Sequence, residues 1–517
     1  MLFSKAKRDA QPSFYLSHDG MLNFVWKLSL SLMVIVFIGD GYDSNPVSAQ
    51  APKKIVAPLA IIESPVAGSH LQVKVEEDFY AKVRSEQSVR LTDFPLTPDS
   101  LVELELEQFF ITTTKIRIVA ATDTGEFEIS HPQIALFKGY VTDMPDSKVF
   151  LGISSSGMRG LVQMTGNQYV VAPIKDRLRT DDTLLHQIYD RSAEQQLDLN
   201  DPANRCGTET ALQELLDLPD NLGIQADSSQ FRFGRVALEC DYEFWDRFNS
   251  MDQALTYIYQ IFGAASVIYE TDLSVKLVLP FIRIWTTIND PYSHIGGGGE
   301  AQWEFQDYWR DNHSTPGQPG YIERDMAHML SGRGVEARGN ISQLCKEYGY
   351  SISGGNAAPN GFQHDLVLAA HEIGHVFGGR HSHCFDPPID KCATAPDCND
   401  TQDCNTVPGT IMSYCHFCPG GFNNFLHEFH TKNIAGMRTV IDSSCLGIAR
   451  APVYVDWRNV GFEDGTAGNP YNTVVEGAES VLPGGTVRIT GGNYAEQITI
   501  WQPMTLTAPS GSVTIGE

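Results

Sequence analysis

The sequence of 517 residues predicts a multidomain chain: a β-rich N-terminal region, an α/β (α+β) central region and a short series of stacked strands at the C-terminus. Three observations predict this. Between residues 50 and 206, short alternating apolar and polar runs are separated by turn residues. Between 231 and 449, strand-like runs precede an apolar helix that carries histidines. From 452 to 517, β-rich runs of a few residues recur between Gly- and Asn-containing turns. A chain of this length has room for two to four domains, each with its own core.

The first element is residues 1–49. Lys27, the apolar run from Leu28 to Gly39 and the small residues Val47-Ser48-Ala49 form a secretory signal, with Met21 as an alternative start. The run is short for a bilayer, so no stable membrane insertion is expected, a single-pass anchor being the competing reading. A formal net charge of −26 excludes nucleic acid and anionic membrane surfaces as expected partners. The ten cysteines, six of them between 384 and 418, fit a secreted or cell-surface protein with disulfides.

The chemistry sits in His371-Glu372-Ile373-Gly374-His375-Val376-Phe377-Gly378-Gly379-Arg380-His381. Leu366, Val367, Ala370, Ile373, Val376 and Phe377 make an apolar helix, from one face of which His371 and His375 project four residues apart. They can grip one ion. Glu372 is too close in sequence to be a further ligand and is the candidate general base for a metal-bound water. Gly378 stands where a helix needs a left-handed residue to stop, and the turn returns His381 as third ligand. Three neutral nitrogens leave a fourth position open, the arrangement of one catalytic Zn2+. Nearby His364, His383 and His416 are read as non-ligands, since three are already supplied.

Together with Thr410-Ile411-Met412-Ser413-Tyr414, this motif resembles the metzincin clan of zinc endopeptidases, whose Met-turn would place Met412 as an apolar floor beneath the metal. Arg235-Val-Ala-Leu-Glu239, Asp325-Met-Ala-His-Met-Leu330 and Gly339-Asn-Ile-Ser-Gln-Leu-Cys345 make the reprolysin (adamalysin-like) group, particularly its bacterial secreted relatives, the best match. The resemblance spans roughly residues 230–447, within an expected protease domain at 231–449. Ser382 departs from it, since animal reprolysins carry Asp after the third histidine. The resemblance implies a Cys345–Cys445 disulfide. Tyr414 is similar to the zinc-contacting tyrosine of astacins and serralysins, which could support an oxyanion; packing is its competing role. The Trp- and Gly-rich stretch 295–309 is a candidate cleft wall.

Phe137-Lys-Gly-Tyr140, Ser147-Lys-Val-Phe-Leu-Gly152, Gly160-Leu-Val-Gln163 and Tyr169-Val-Val-Ala-Pro173 resemble reprolysin propeptides, so residues 50–206 are expected to be a prodomain. In related zymogens a cysteine thiolate closes the open zinc position, a role that would fall to Cys206. A Cys206–Cys240 disulfide is the alternative, because ten is an even number. Residues 207–230 are acidic and turn-containing, a processing linker.

Beyond Cys445, Val453-Tyr-Val-Asp-Trp457, Asp464-Gly-Thr466, Pro483-Gly-Gly-Thr-Val-Arg-Ile489 and Gly491-Gly-Asn-Tyr494 resemble the opening of a pectate-lyase-like right-handed parallel β-helix. Residues 452–517 hold about two coils, an incomplete solenoid. Attachment to polysaccharide or a cell surface is its functional reading, a structural appendage its plain one. Asp397, Asp400 and Asp403 are a candidate Ca2+ loop, with a solvated acidic loop as the alternative.

Two functions of different class follow. One is a secreted zinc endopeptidase made as a zymogen and acting on protein or peptide substrates. The other is an adhesin or binding module on an inactive metzincin scaffold. Glu372 favours the enzyme, since a scaffold has no use for that carboxylate.

Overall fold

The computed structural model describes residues 14–16, 20–24, 35–39, 52–63, 70–174, 184–190, 205–208, 230–248, 250–297, 299–355, 361–393, 398, 401–500 and 502–516. The chain divides into two compact units. One comprises Gln50–Thr112 and Ile116–Leu446; the other comprises Met1–Ala49, Thr113–Lys115 and Gly447–Glu517. Lys27 and Val47–Ala49 of the expected signal lie outside the described residues, as do 209–229 of the expected linker.

The larger unit holds two sheets. Ten strands run in the order Lys53–Val56, Ser88–Thr97, Ser100–Phe109, Ile134–Val141, Met144–Ser154, Gly157–Met164, Asn167–Pro173, Leu185–Asp190, Leu71–Val75 and Leu59–Glu63. All neighbours are antiparallel except the first pair. Leu71–Val75 alternates strictly between buried and exposed, the mark of a strand with one solvated face. The middle strands are buried on both faces, so Gly157–Met164 is buried over six successive residues. One face joins Val73, Phe79, Val89, Phe94, Phe137 and Leu151 in a core of its own. The other presents Phe109, Leu136, Phe150, Leu161 and Val170 to the long helix Met251–Leu273.

The second sheet runs Gly125–Glu128, Thr112–Thr122, Val275–Trp285, Arg232–Cys240, Met326–Ser331, Tyr350–Gly354, Arg338–Gly339. Its five central strands are parallel and its two edges antiparallel. Strands buried on both sides need cover on both. Helices Met251–Leu273 and Phe362–Val376 cover one side through Ile258, Phe262, Leu366 and Ile373. Helix Glu300–His313 covers the other through Phe305 and Trp309. Ser250 caps the long helix by accepting from Gln253 N–H, and Ser274 ends it at φ +52°.

Residues 50–206 and 231–449, expected as successive domains, are therefore not separate in space up to Leu446. They share a sheet and a hydrophobic core.

In the smaller unit, strands Val453–Val455, Thr486–Ile489 and Thr505–Thr507 pair in parallel, with Val453, Val487 and Leu506 in one row. Gly492–Tyr494 pairs in parallel with Val513–Ile515. Helix Val474–Ser480 begins with a capping box between Thr473 and Glu476. Val453, Val474, Val487, Ile489, Leu506 and Val513 form its core. Two N-terminal strands, Gly20–Phe24 and Phe14–Leu16, add antiparallel to Thr505–Thr507 and Val513–Ile515.

Candidate metal centre

The histidine-bearing helix Phe362–Val376 is buried along its whole length, with Leu366, Ala370 and Ile373 in the core. It ends as its glycines predict. Gly378 sits at φ +96°, its N–H donates to His375 O at 2.8 Å, and Gly379 N–H donates to Gly374 O at 2.7 Å. A Cβ on Gly378 would also lie 2.6 Å from Val440, so the turn requires glycine twice over. The chain then doubles back. His375 Nε2 lies 3.1 Å from His371 Nε2 and 3.0 Å from His381 Nε2.

Those rings are oriented from behind. His371 Nδ1–H donates to Ile411 O at 2.7 Å, and His375 Nδ1–H donates to Gly379 O at 2.9 Å. Carbonyls only accept, so each of these two rings turns an Nε2 lone pair inward. Burial pushes His371 down to about 4 and holds His375 and His381 well below the ordinary imidazole value. Buried neutral nitrogens this close suit a shared cation, and the donor set fits one.

Met412 lies against the same helix. A Cβ on Gly374 would come within 2.7 Å of its Sδ, so glycine at 374 makes room for the methionine. Glu372 is fully buried, and burial pushes its carboxyl up to about 8. Its Oε1 has no hydrogen-bond partner among the described residues, and its Oε2 accepts from Thr208 Oγ1 at 3.4 Å.

Cys206 completes the group. Its Sγ lies 3.5 Å from both His375 Nε2 and His381 Nε2, and the four side chains form one cluster of potential metal ligands. Burial and the Glu372 charge push an isolated Cys206 thiol up, whereas a bound cation favours the thiolate. Backbone pairing fixes the segment: Ala337 N–H donates to Arg205 O and Gly207 N–H to Ala337 O, both at 2.8 Å. The Glu336 carboxylate packs against Gly207, and a Cβ there would lie 2.2 Å from its Oε2, so a side chain at 207 would have to displace it. Thr208 adds an N–H to Cys206 Sγ at 3.4 Å, while its Oγ1 accepts from Gly339 N–H at 3.0 Å. Tyr414 OH donates to Cys206 O at 2.9 Å, and its ring lies 4.5 Å from that of His381.

The expected site residues thus converge. Cys206 and Cys240 are both free of disulfides, which disposes of the Cys206–Cys240 alternative: Cys240 is buried in the core of the Arg232–Cys240 strand. The Cys345–Cys445 bridge is present, and Cys384–Cys398, Cys392–Cys415 and Cys404–Cys418 staple the loop beside the site. His364 bonds to Asp365 at 2.7 Å, and His416 packs against Phe422. His383 stacks on His381, but the third member of that group, Cys384, is held in a disulfide. In the 295–309 stretch, Trp303 packs under Arg338, whose charge opposes the rise at Glu372. Calcium finds no support: Asp397 and Asp400 lie outside the described residues, and Asp403 Oδ1 accepts from Asn405 N–H at 3.0 Å.

Sequence reasoning missed Thr208 and the Ile411 and Gly379 carbonyls. Thr208 carried a signal in its place two residues after Cys206. Backbone carbonyls carry none.

Residues 232–425 match the family model of the reprolysin type described as metallo-peptidase family M12. Over those residues the chain resembles the reprolysin-like M12 metallopeptidases. Among solved structures, that of metalloproteinase-II from Bacteroides fragilis aligns at 12% identity over 68% of this chain and 90% of that one, with a TM-score of 0.34. The match supports a metalloprotease, and a protease would act on protein or peptide substrates. Its four disulfides fit an extracellular location. No helix among the described residues is long and apolar enough to cross a membrane.

Proposed function

We propose that this chain is a secreted zinc endopeptidase made in a latent form, with His371, His375 and His381 as zinc ligands and Cys206 as the fourth ligand until it is displaced. The convergence of the Cys206 sulfur with three imidazole nitrogens carries the reading. Zinc held there would polarise a scissile carbonyl and acidify a water.

The protein groups then have distinct tasks. Glu372, its Oε1 unpartnered and its affinity for protons raised by burial, takes a proton from the attacking water and returns it to the leaving amine. Tyr414 OH, tied to Cys206 O in the resting chain, is freed to donate to the developing oxyanion when that segment leaves. Departure also frees the N–H and C=O of Ala337 to hold an extended peptide by strand addition. Met412 keeps the floor beneath the histidines apolar.

Residues 452–517 are proposed as part of a right-handed β-helix that attaches the protein to polysaccharide or a cell surface. Their parallel strands and single row of core residues support the first half of this reading. The exposed Trp457 and Phe462 offer a surface for the second.

The test is peptide hydrolysis by zinc-loaded, activated protein beside Glu372→Gln and a chelated sample. Cleavage is expected only in the unmodified, zinc-loaded protein. Undiminished cleavage by folded Glu372→Gln would refute Glu372 as the base.

A further inference from the structure

Strand Thr112–Thr122 belongs by position to the N-terminal region, yet it pairs in parallel with Val275–Trp285 of the protease domain. Phe281 faces Arg117, Arg283 faces Val119 and Trp285 faces Ala121. The ladder is anchored by Leu279 N–H to Ile111 O at 2.6 Å and Thr286 N–H to Ala121 O at 2.9 Å. Gly125–Glu128 closes the hairpin and brings Glu126 to Arg283, Nη2 to Oε1 at 2.7 Å. Arg283 is itself buried, and its Nη1 donates to the fully buried Glu239 at 2.9 Å. Glu126 thus completes a charge cluster inside the protease sheet.

The long helix Met251–Leu273 depends on the same region. Its Gly263 leaves no room for a side chain, since a Cβ would lie 2.9 Å from Phe150, and a Cβ on Gly152 would lie 2.7 Å from Gln260. Leu136, Leu161 and Val170 share the helix's core cluster. Polar ties flank them: Arg159 donates to Gln260 at 2.7 Å, Gln260 to Gly152 O at 3.0 Å, and Lys148 pairs with Asp272 at 2.9 Å. None of these contacts passes through residues 209–229.

We infer that the N-terminal region is a lasting partner of the protease domain: after a cut anywhere in 209–229 the two fragments stay together without a covalent link, and Cys206 stays at the metal centre. Its latency clause rests on the reading given above. A cut there removes chain connectivity only, while separation would expose the edge of Val275–Trp285, strip an apolar helix face and leave Arg283 short of a carboxylate. Opening the site therefore takes a second event, release or destruction of the segment that carries Cys206.

The experiment uses the full chain with a site for a sequence-specific protease placed in 209–229. After cutting, gel filtration with mass detection should show one species with the mass of the uncut chain, and that species should cleave no peptide. Fragments that elute apart, with the 230–517 piece still melting cooperatively, would overturn the inference whatever their activity. A co-eluting pair that cleaves peptide would overturn the latency clause and leave the lasting partnership standing. Glu126→Lys sets a like charge against Arg283 and should speed fragment dissociation at least tenfold, with Glu126→Gln between it and the parent. Equal dissociation rates in all three would remove the role given to the Thr112–Glu128 hairpin.

Discussion

The two sheets of the larger unit solve burial in different ways. Around the outer face of the ten-stranded sheet the core is largely apolar, with His186 buried opposite Val73 and accepting from Met158 N–H, and antiparallel neighbours set the register. The seven-stranded sheet carries charge in its interior. Glu239 accepts from Arg283, Trp285, Tyr292 and Trp309, and Asp241 accepts from the N–H groups of Phe244 and Gly332, from Arg333 and from Ser331. Both acids are fully buried at the C-terminal end of strand Arg232–Cys240. Apolar packing is enough to hold a covering sheet. The turns that follow strands Arg232–Cys240 and Met326–Ser331 are fixed by directional bonds, and these leave the second sheet more sensitive to single changes.

That contrast can be broken at several points. The largest effect is expected at the site itself: Glu372→Gln should lower kcat/KM roughly 10²- to 10⁴-fold with the melting curve unchanged. A comparable loss of stability in that variant would mean that Glu372 serves the fold. Next, Glu239→Gln leaves Arg283 without its buried partner and should cost about 3–5 kcal/mol in denaturant unfolding. A neutral result would show that the charge cluster contributes no more than an apolar core.

In the ten-stranded sheet, Leu151→Ala should cost about 2–4 kcal/mol, the value of a buried leucine, and leave the turnover of the opened enzyme unchanged. A change in turnover with little change in stability would erase the distinction between the sheets.

The smallest effect concerns Lys276, buried at the start of strand Val275–Trp285 near Glu270, Lys138 and Glu107, and lowered by burial to about 8. Between pH 8 and its ordinary value the unfolded chain holds a proton that the folded chain lacks, so stability rises with pH across that window. Lys276→Met should therefore stabilise the protein by roughly 2 kcal/mol at pH 7, with the gain fading as pH climbs past 8. A gain independent of pH would point to packing alone.

How much of this could be read beforehand depended on distance along the chain. His371, Glu372, His375, Gly378 and His381 fall within eleven residues, where helical period and turn chemistry determine geometry, and the structure brings them together as that reasoning requires. The alternating runs at 137–173 were equally plain, because a hairpin ladder is local. The pairing of Thr112–Thr122 with Val275–Trp285 was not legible, since a strand's own residues do not name a partner so far away. Counting cysteines also left the Cys206–Cys240 alternative open. Cys240 is buried in the core at the end of strand Arg232–Cys240, whereas Cys206 is held on the edge segment 335–339, and only the fold separates them.

The central claim is a zinc held by three histidines and closed by Cys206. X-ray absorption at the zinc edge of the intact, zinc-loaded chain tests it most directly. The account predicts one zinc per chain with three nitrogens at about 2.0–2.1 Å and one sulfur at about 2.3 Å, and loss of the sulfur contribution in Cys206→Ser. A stoichiometric zinc with nitrogen and oxygen neighbours and no sulfur in the intact chain would contradict it.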